Sequence, residues 1–357
     1  MTPGRPPPEG SPPEGITTED VRRRRDFHRR LHRWFETEGR HDLPWQRDRR
    51  AYAVWVSEIM LQQTTVESVR RYYRPFLARF PTVRALAEAD SDVVLALWSG
   101  LGYYRRAHNL HRAARLVVER HGGRVPRRLE DLLALPGVGL STAGAIVSLA
   151  YDRPAVVLDT NVRRVLARFW ADLHRRRGEN ERGLEEIARW LLPAHGGRAH
   201  TQALMDLGAL VCRARDPDCP ACPLRTACPG PPRESDRSSG RASSPRRTKV
   251  LTLLLRRDRR GRLLLVRRPP EGIWAGLWCL PEVDPRFFLR DGKSHRLFTR
   301  RLHRLTHLDL DIRVVDIPGG EGKGSGETLR SWKSLEDLGR LGFPPVIRGM
   351  LESLFPA

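Results

Sequence analysis

A glycine-containing turn followed by an aspartate is the clearest sign of chemistry in this chain. Residues 135–161 read LPGVGLSTAGAIVSLAYDRPAVVLDTN, with Gly137 and Gly139 in the turn and Asp159 near the end. Glycine has no Cβ, so its backbone N–H groups can approach a phosphate closely. The dipole of the helix that follows also favours an anion. A carboxylate just beyond such a turn indicates chemistry on a nucleotide.

Asp159 has two interpretations, which the sequence leaves open. It precedes TNVRRVLARF, an amphipathic helix pattern, and aspartate is a preferred N-cap residue. The same carboxylate could act on a substrate, because a cap position points it at the space above the helix. Asn161, two residues later, could hydrogen-bond that substrate.

A second candidate carboxylate, Glu58, interrupts an apolar run. Residues 43–66 read LPWQRDRRAYAVWVSEIMLQQTTV. Burial disfavours a charged carboxylate and raises its pKa, which suits a general acid near neutral pH. A surface glutamate on an amphipathic helix is the ordinary alternative.

Four of the five cysteines are spaced C-x6-C-x2-C-x5-C, at Cys212, Cys219, Cys222 and Cys228. Thiolates this close could hold a tetrahedral zinc ion or a [4Fe–4S] cluster. Structural zinc usually pairs two C-x2-C motifs, so one such motif with wide flanking loops favours the cluster. The fifth, Cys279, is interpreted as an inert core thiol.

The composition predicts a polyanionic partner. The formal net charge is +22 and the pI is near 11.1, which favours nucleic acid over a merely solvated basic surface. Lysine occurs only at Lys249, Lys293, Lys323 and Lys333, so residues 1–248 contain none. No apolar run of about 18 residues or export signal is present, so we expect a cytoplasmic protein with no membrane contact.

The chain divides by composition into a tail, two domains and a linker. Residues 1–18 are predicted to be a disordered Pro-rich tail, and residues 229–248 a linker rich in Pro, Ser, Gly and Arg. Residues 19–228 are predicted to be mostly α-helical, with the cysteine loop 212–228 at their end. Residues 249–357 are predicted to form a smaller α+β domain.

Periodicity predicts several individual elements. VLTLLLRRDRRGRLLLVRR is typical of two strands around a turn, and residues 308–314 alternate as in a half-buried strand. PPVIRGMLESL predicts a closing helix with prolines at its start. Ser91 is the predicted cap of the run VVLALW. Helical stripes are predicted from the apolar sets Phe27, Leu31, Trp34, Phe35 and Ala107, Leu110, Ala114, Val117.

Several of these motifs together resemble a known family. SEIMLQQT, GLGYYRRAHNLHRAA, LPGVGLSTAGA, LDTNVRRV and the cysteine spacing occur in order between Leu43 and Cys228. This set resembles the MutY family of adenine DNA glycosylases, within the helix-hairpin-helix Gly/Pro…Asp superfamily. The resemblance implies a [4Fe–4S] cluster on the four cysteines and DNA backbone contacts from Gly137, Gly139 and Ser141.

The resemblance also implies roles for single residues. Glu58 would protonate adenine, and Asp159 would stabilise the cationic sugar or form a transient covalent adduct, with help from Asn161. Gln62 would enter the base stack as a wedge, and Tyr103 would press against the opposite base. A solvated helix residue and a core aromatic are their ordinary alternatives.

The chemistry of base release needs two different acids. Positive charge builds on the sugar and negative charge on the base, so one carboxylate and one carboxylic acid meet both needs. The base must first leave the stack, which costs a few kcal/mol. Related lyases place a lysine just after the hairpin glycines, where this chain has Ser141, otherwise interpreted as a helix cap. A monofunctional glycosylase is therefore predicted.

The C-terminal part resembles the Nudix-like domain of the same family, on the motifs EGIWAGLWCLPEV and HRLTHLDLDI. No REx2EE-like metal-binding helix occurs between Pro281 and Leu297, so this domain is expected to recognise a ligand without hydrolysing it. The resemblance implies that this ligand is the 8-oxoguanine opposite adenine. The family's Phe-Ser-His turn corresponds to Leu305, Thr306 and His307. Thr306 keeps the hydroxyl, whereas Leu305 loses the aromatic surface; an ordinary strand position is the alternative for Thr306.

Together with these motifs, the resemblance implies a bacterial, nucleoid-associated monomer in base excision repair. It implies removal of adenine opposite 8-oxoguanine or guanine in double-stranded DNA. A glycosylase for thymine in T·G pairs is one alternative, because Thr160 replaces a glycine found in many adenine glycosylases. A non-catalytic DNA-binding protein with a zinc site is the other.

Overall fold

The computed structural model describes residues 15–230, 246–284, 296–305, 308–316 and 330–355. They fall into two compact units. The first is the described part of Met1–Leu77 and Leu116–Ser239, and the second is that of Ala78–Arg115 and Gly240–Ala357. The domain boundaries predicted from composition assign residues 78–115 differently, and they stay a prediction.

Every regular element of residues 15–230 is helical, as predicted for this half of the chain. None of these helices, nor the one near the C-terminus, has the length and apolar character that a membrane span needs. The helices are α1 Thr18–Glu38, α2 Pro44–Arg47, α3 Ala51–Leu61, α4 Val66–Arg79, α5 Val83–Ala87, α6 Ser91–Trp98, α7 Arg105–His121, α8 Leu129–Leu133, α9 Leu140–Tyr151, α10 Thr160–Phe169, α11 Ala171–Arg176, α12 Glu181–Trp190 and α13 Gly197–Asp206.

The first unit has a core built from the apolar faces of α1, α10, α12 and α13. Helix α1 begins with a capping box between Thr17 and Asp20, which satisfies two N–H groups at its start. Its residues Phe27, Leu31 and Trp34 then pack against this core. This confirms the predicted stripe for three of its four members, and Phe35 packs at the edge of the same core.

Close backbone contacts fix the path of the chain between the hairpin and Asp159. Helix α9 follows the turn, in which Gly137 adopts φ +79°. A Cβ at Gly144 would lie 2.0 Å from the Val156 carbonyl oxygen, so only glycine lets the extended segment before Asp159 cross α9 here. A Cβ at Gly208 would similarly lie 2.7 Å from Asn161. These contacts place the start of α10 between α9 and the π-helical segment Leu207–Val211.

The second unit contains two three-stranded sheets and a closing helix. The elements are β1 Arg247–Leu254, β2 Leu263–Arg267, β3 Trp278–Cys279, β4 Arg296–Arg304, β5 Leu308–Asp316, β6 Arg330–Lys333 and α14 Pro345–Leu354. Strands β1, β5 and β4 form one sheet in that order, with β1 parallel to β5. Strands β3, β2 and β6 form an antiparallel sheet.

Strand pairing corrects part of the prediction. The two strands predicted around a turn are present as β1 and β2, but they belong to different sheets. Strand β5 lies between β1 and β4, which explains why it is more buried than its alternating pattern suggests. Its Asp311 is buried and paired with Arg300 and Arg313. The predicted closing helix is confirmed as α14, with Pro345 in its first turn.

Residues 78–115 are tied to the C-terminal sheets by polar contacts within the second unit. The Trp278 indole donates to Asp92 over 2.9 Å, and the Ser99 hydroxyl donates to the Phe343 carbonyl over 2.6 Å. The cap of α6 is Asp90 and not the predicted Ser91, because the Asp90 carboxylate accepts from the Asp92 N–H.

Candidate active site

A cavity of about 640 Å³ opens beside Glu58 in the first unit. This volume is in the range of pockets that hold small molecules, and it exceeds what one nucleobase needs. Four arginines line it, which suits an anionic strand. The lining residues are Phe35, Arg40, His41, Trp45, Gln46, Arg47, Arg49, Val54, Ser57, Glu58, Leu149, Asp152, Gly196, Arg198, Ala199 and Gln202.

Glu58 is one of the two acidic residues that line this cavity, and Asp152 is the other. Glu58 lies on α3, whose residues on both sides of it, such as Val56 and Ile59, are buried. Burial, and then the negative charge of Asp159, raise the pKa of Glu58 to about 8. The carboxyl is therefore protonated at neutral pH, as the sequence predicts for a general acid.

Asp159 is an N-cap, which confirms one of its two interpretations. Its carboxylate accepts the Val162 N–H over 2.7 Å at the start of α10. Burial raises its pKa, but hydrogen bonds from the Val162 and Asn161 backbone and the charge of Arg164 act in the opposite direction. Asp159 does not line the cavity, yet it is close enough for its charge to act on Glu58.

Asn161 and Arg164 connect the aspartate to the cysteine loop. The Arg164 guanidinium donates to the Asn161 side-chain oxygen over 2.7 Å, to the Gly208 carbonyl over 2.7 Å and to the Cys212 carbonyl over 2.6 Å. Sequence patterns did not identify Arg164, since one arginine among many gives no signal. It holds Asn161 in place beside Asp159.

The hairpin presents open backbone N–H groups. The first-turn N–H groups of a helix have no intrahelical acceptor. In α9 no side chain caps the N-terminus to supply one. The cap position is Gly139, and Ser141 lies inside α9, which corrects the interpretation of Ser141 as the cap. A Cβ on Gly139 would meet no atom within 4 Å. The Gln62 amide donates to the Thr142 hydroxyl over 3.1 Å, at the end of α3.

The other predicted contacts lie elsewhere or outside the described residues. Tyr103 belongs to the second unit, is 38% exposed and has a positive φ of 48°. Its ring lies 5.4 Å from the Arg106 guanidinium. Thr306 and His307 fall outside the described residues.

Gln46 is a cavity residue that sequence analysis missed. Both polar atoms of its amide are buried, and neither has a hydrogen-bond partner among the described residues. An unpaired buried amide is costly, so a ligand in the cavity is a natural partner. The only available signal was its position directly after the Pro-Trp pair that precedes α3.

The four clustered cysteines line one smaller cavity, of about 60 Å³. The structure therefore brings the four cysteines of the spaced motif together at one site. Arg168 donates to the Cys212 sulfur over 3.3 Å.

The isolated Cys279 is buried in β3, and burial raises its pKa to about 12. A thiol that stays protonated to this degree is unreactive. This confirms its interpretation as an inert core residue.

Two family models match the chain. The model described as "HhH-GPD superfamily base excision DNA repair protein" matches residues 56–190, and the NUDIX domain model matches residues 252–353. Among solved structures, a thermostable thymine-DNA glycosylase is 30% identical, with a TM-score of 0.55 over 58% of this chain and 96% of that one. The protein in an endonuclease III–DNA complex is 23% identical, with a TM-score of 0.50. The shared fold covers 62% of this chain and 99% of that chain.

Two curated relatives of this chain are both named adenine DNA glycosylase. The adenine DNA glycosylase of Buchnera aphidicola subsp. Schizaphis graminum is 30% identical over 89% of this chain and 96% of its own length. The human adenine DNA glycosylase is 38% identical over 70% of this chain and 56% of its own length. Likeness over 89% of this chain and 96% of the Buchnera chain, together with the cavity acid and the capped aspartate, places this chain in the family of adenine DNA glycosylases.

Proposed function

We propose that this protein is a monofunctional glycosylase that hydrolyses the N-glycosidic bond of adenine opposite 8-oxoguanine or guanine in DNA. One observation carries the proposal: Glu58, with a pKa raised to about 8, lines a cavity that can hold a base and is electrostatically coupled to Asp159. The names of the relatives support adenine as the base. We further propose that it acts as a monomer on DNA in the bacterial cytoplasm.

Each acid has a separate task in this proposal. The protonated Glu58 donates to a ring nitrogen of the extruded adenine, which turns the base into a leaving group. The ionised Asp159 stabilises positive charge on the deoxyribose. Asn161, which Arg164 holds in position, assists at the same sugar. The coupling favours opposite protonation states, because an ionised Asp159 keeps the proton on Glu58.

The hairpin supports DNA binding in this proposal. Backbone N–H groups at Gly137, Gly139 and Ser141 would bind a phosphate of the damaged strand, which positions the duplex without reading its sequence. Gln62, at the adjacent end of α3, would enter the space that the extruded base leaves. Tyr103 would contact the opposite base.

The C-terminal residues matched by the NUDIX model would recognise the oxidised base. No REx2EE-like sequence occurs between Pro281 and Leu297, which supports recognition without hydrolysis. The Thr306 hydroxyl would bond the oxidised purine, with His307 beside it. Leu305, whose carbonyl accepts from Arg246, would replace the family's aromatic surface with an aliphatic one.

A panel of duplexes tests the reaction. Adenine is placed opposite 8-oxoguanine, guanine, cytosine or thymine, and a fifth duplex carries thymine opposite guanine. We expect strand cleavage only after alkali and only on the adenine strand of the first two. Release of thymine from the fifth duplex would instead support the thymine glycosylase alternative.

Borohydride trapping is the control for the monofunctional mechanism. A Schiff base needs an amine, and residues 1–248 contain no lysine. The wild-type chain should form no efficient covalent complex with DNA. Ser141→Lys places an amine just after the hairpin glycines and should gain trapping. Strong trapping by the wild-type chain, or cleavage without alkali, would contradict the monofunctional assignment.

Gln46 provides a test of base binding in the cavity. An amide can give one donor and one acceptor to the edge of an adenine, so Gln46→Leu should reduce the efficiency of adenine release by about 10-fold to 100-fold, the value of one good bidentate contact. The measurement is the single-turnover rate as a function of enzyme concentration. Gln202→Leu, at another residue of the cavity lining, is the matched control. An equal effect of both variants would remove Gln46 from the base site.

We also propose that Cys212, Cys219, Cys222 and Cys228 hold a [4Fe–4S] cluster. The group would hold the loop that carries these residues in one conformation, next to the carbonyl that Arg164 contacts. The cube needs four thiolates, and the support from the structure is that all four cysteines line one small cavity.

Iron content and absorbance test the cluster. The purified chain should contain about four irons and absorb near 400 nm. Cys222→Ser should lower both, whereas Cys279→Ser, at the buried thiol of the second unit, should leave both unchanged. One zinc per chain and no visible absorbance would show that the cysteines bind a different metal.

A further inference from the structure

Three histidines outside the cavity lining meet inside the first unit. His28 and His32 lie four residues apart on α1, and His200 lies on α13. One ligand atom from each lies within 4.8 Å of the other two. Their ring centroids are 5.1 Å apart for His28 and His200, and 6.1 Å for both other pairs.

Two nitrogen atoms of this histidine cluster have no partner among the described residues. They are the Nδ1 of His200 and the Nε2 of His32, both buried. The His200 side chain is only 2% exposed. Buried polar atoms in folded proteins are nearly always hydrogen-bonded or coordinated, so two such atoms in one cluster need an explanation.

We propose that His28, His32 and His200 bind one divalent transition-metal ion, with zinc as the representative case. Imidazole suits zinc, nickel and copper, and two histidines four residues apart on a helix face form a common half-site for zinc. Tetrahedral zinc requires nitrogen atoms about 3.4 Å apart. The three ligand atoms lie within 4.8 Å of one another, so the proposed site requires side-chain rotations that shorten these distances.

The protonation state of the cluster favours the ion. Burial lowers the pKa of all three histidines, to about 4 for His28. Neutral imidazoles offer a lone pair without first losing a proton. The Arg24 charge opposes a cation here and the Glu36 charge favours it. The Arg24 guanidinium donates to the Leu192 carbonyl and stacks on Trp190, and its charge acts on both His28 and His200.

The ion would join α1 to α13. Helix α1 packs against α13 in the first unit. The N-terminal turn of α13 supplies Arg198 and Ala199 to the cavity beside Glu58, and its last residue, Asp206, pairs with Arg40 of the same cavity. Metal binding would therefore stabilise the wall of the candidate active site. The proposed metal site does not depend on which base the enzyme removes.

Zinc titration of the full chain tests this site. The protein is prepared without a polyhistidine tag, and the content of its cysteine loop is left as it is after purification. The protein is then dialysed against EDTA. Calorimetry should then detect one zinc site. At a free zinc concentration 100 times the dissociation constant, the melting temperature should rise by about 5 to 10 °C. Absence of saturable zinc binding would overturn the proposal.

Variants assign the ligands. His28→Gln and His32→Gln should each weaken zinc binding by at least about 100-fold. His195→Gln, at an exposed histidine just before α13, should bind zinc as the wild type does. Equal affinity in all three variants would overturn the assignment.

X-ray absorption at the zinc edge identifies the ligands in the wild-type chain, so this result does not depend on whether any variant folds. The wild-type chain with one zinc should show nitrogen neighbours at about 2.0 Å and no sulfur at about 2.3 Å. Sulfur neighbours would place the ion on the cysteines and contradict the histidine site. Loss of glycosylase activity would bear only on the function proposed above, because neither zinc measurement uses DNA.

Discussion

Glu58→Gln is expected to slow adenine release by about 10²-fold to 10⁴-fold, the usual contribution of a general acid. Glutamine matches the shape of the protonated side chain, but its amide is too weak an acid to transfer a proton to adenine. Single-turnover kinetics on a duplex with adenine opposite 8-oxoguanine measure the loss. Binding of the same duplex should be unchanged, because the hairpin and the arginines of the cavity are intact.

Stability is the control for this variant. The folded-state pKa of Glu58 is near 8, against 4.5 for an ordinary glutamate, so the unfolded chain loses this proton at lower pH than the folded chain. In the wild type, the contribution of Glu58 to the free energy of unfolding is complete below about pH 4.5. This contribution is lost as the pH rises through 8. Glu58→Gln avoids that loss, and its melting temperature at pH 8 should equal or exceed that of the wild type.

The pH profile follows from the same pKa. The acid works only while protonated, so the single-turnover rate of the wild type should be high below pH 8 and fall above it. Glu58→Gln should lose this alkaline limb. A variant that keeps the wild-type rate and profile would exclude Glu58 as the acid.

Asp159→Asn is the second large effect, with an expected loss of about 10²-fold to 10³-fold in adenine release, typical of removing one electrostatic stabiliser. Asparagine caps helices as well as aspartate does, so the bond to the Val162 N–H and the fold should be retained. The lost quantity is the negative charge beside the sugar. Single-turnover rates measure the effect, and circular dichroism checks the fold.

A second readout separates this charge from a structural role. The Asp159 charge helps to raise the pKa of Glu58, so the alkaline limb of the residual activity should move to lower pH in Asp159→Asn. The matched control is Asp152→Asn, at a second aspartate of the first unit, which lines the cavity whereas Asp159 does not. Asp152 adopts a left-handed conformation, φ 53°, which asparagine tolerates. An equal loss in both variants would mean that Asp159 has no special role.

Local patterns predicted the elements around the site because local physics controls them. The amphipathic spacing after Asp159 predicts α10, and the preference of aspartate for N-caps predicts its bond to Val162. The apolar neighbours of Glu58 likewise predict its desolvation, and burial is the main cause of its raised pKa in the structure. Each inference needs only residues that are close in sequence.

Features that depend on distant residues were out of reach. Pairing of β1 with β5 joins segments about 60 residues apart, and no turn chemistry identifies it. The unpartnered amide of Gln46 becomes visible only when α3, α9 and α13 enclose the cavity. The cysteine spacing favours the cluster over zinc but leaves both open, because spacing along the sequence does not fix the distances between the sulfur atoms.

The most direct test is a structure of the protein bound to DNA that carries an uncleavable 2′-fluoro-deoxyadenosine opposite 8-oxoguanine. The proposal predicts the extruded adenine in the cavity lined by Glu58, with a carboxyl oxygen of Glu58 within hydrogen-bond distance of a ring nitrogen and the Asp159 carboxylate beside the sugar. An adenine that stays in the helix, or that lies away from both acids, would contradict it.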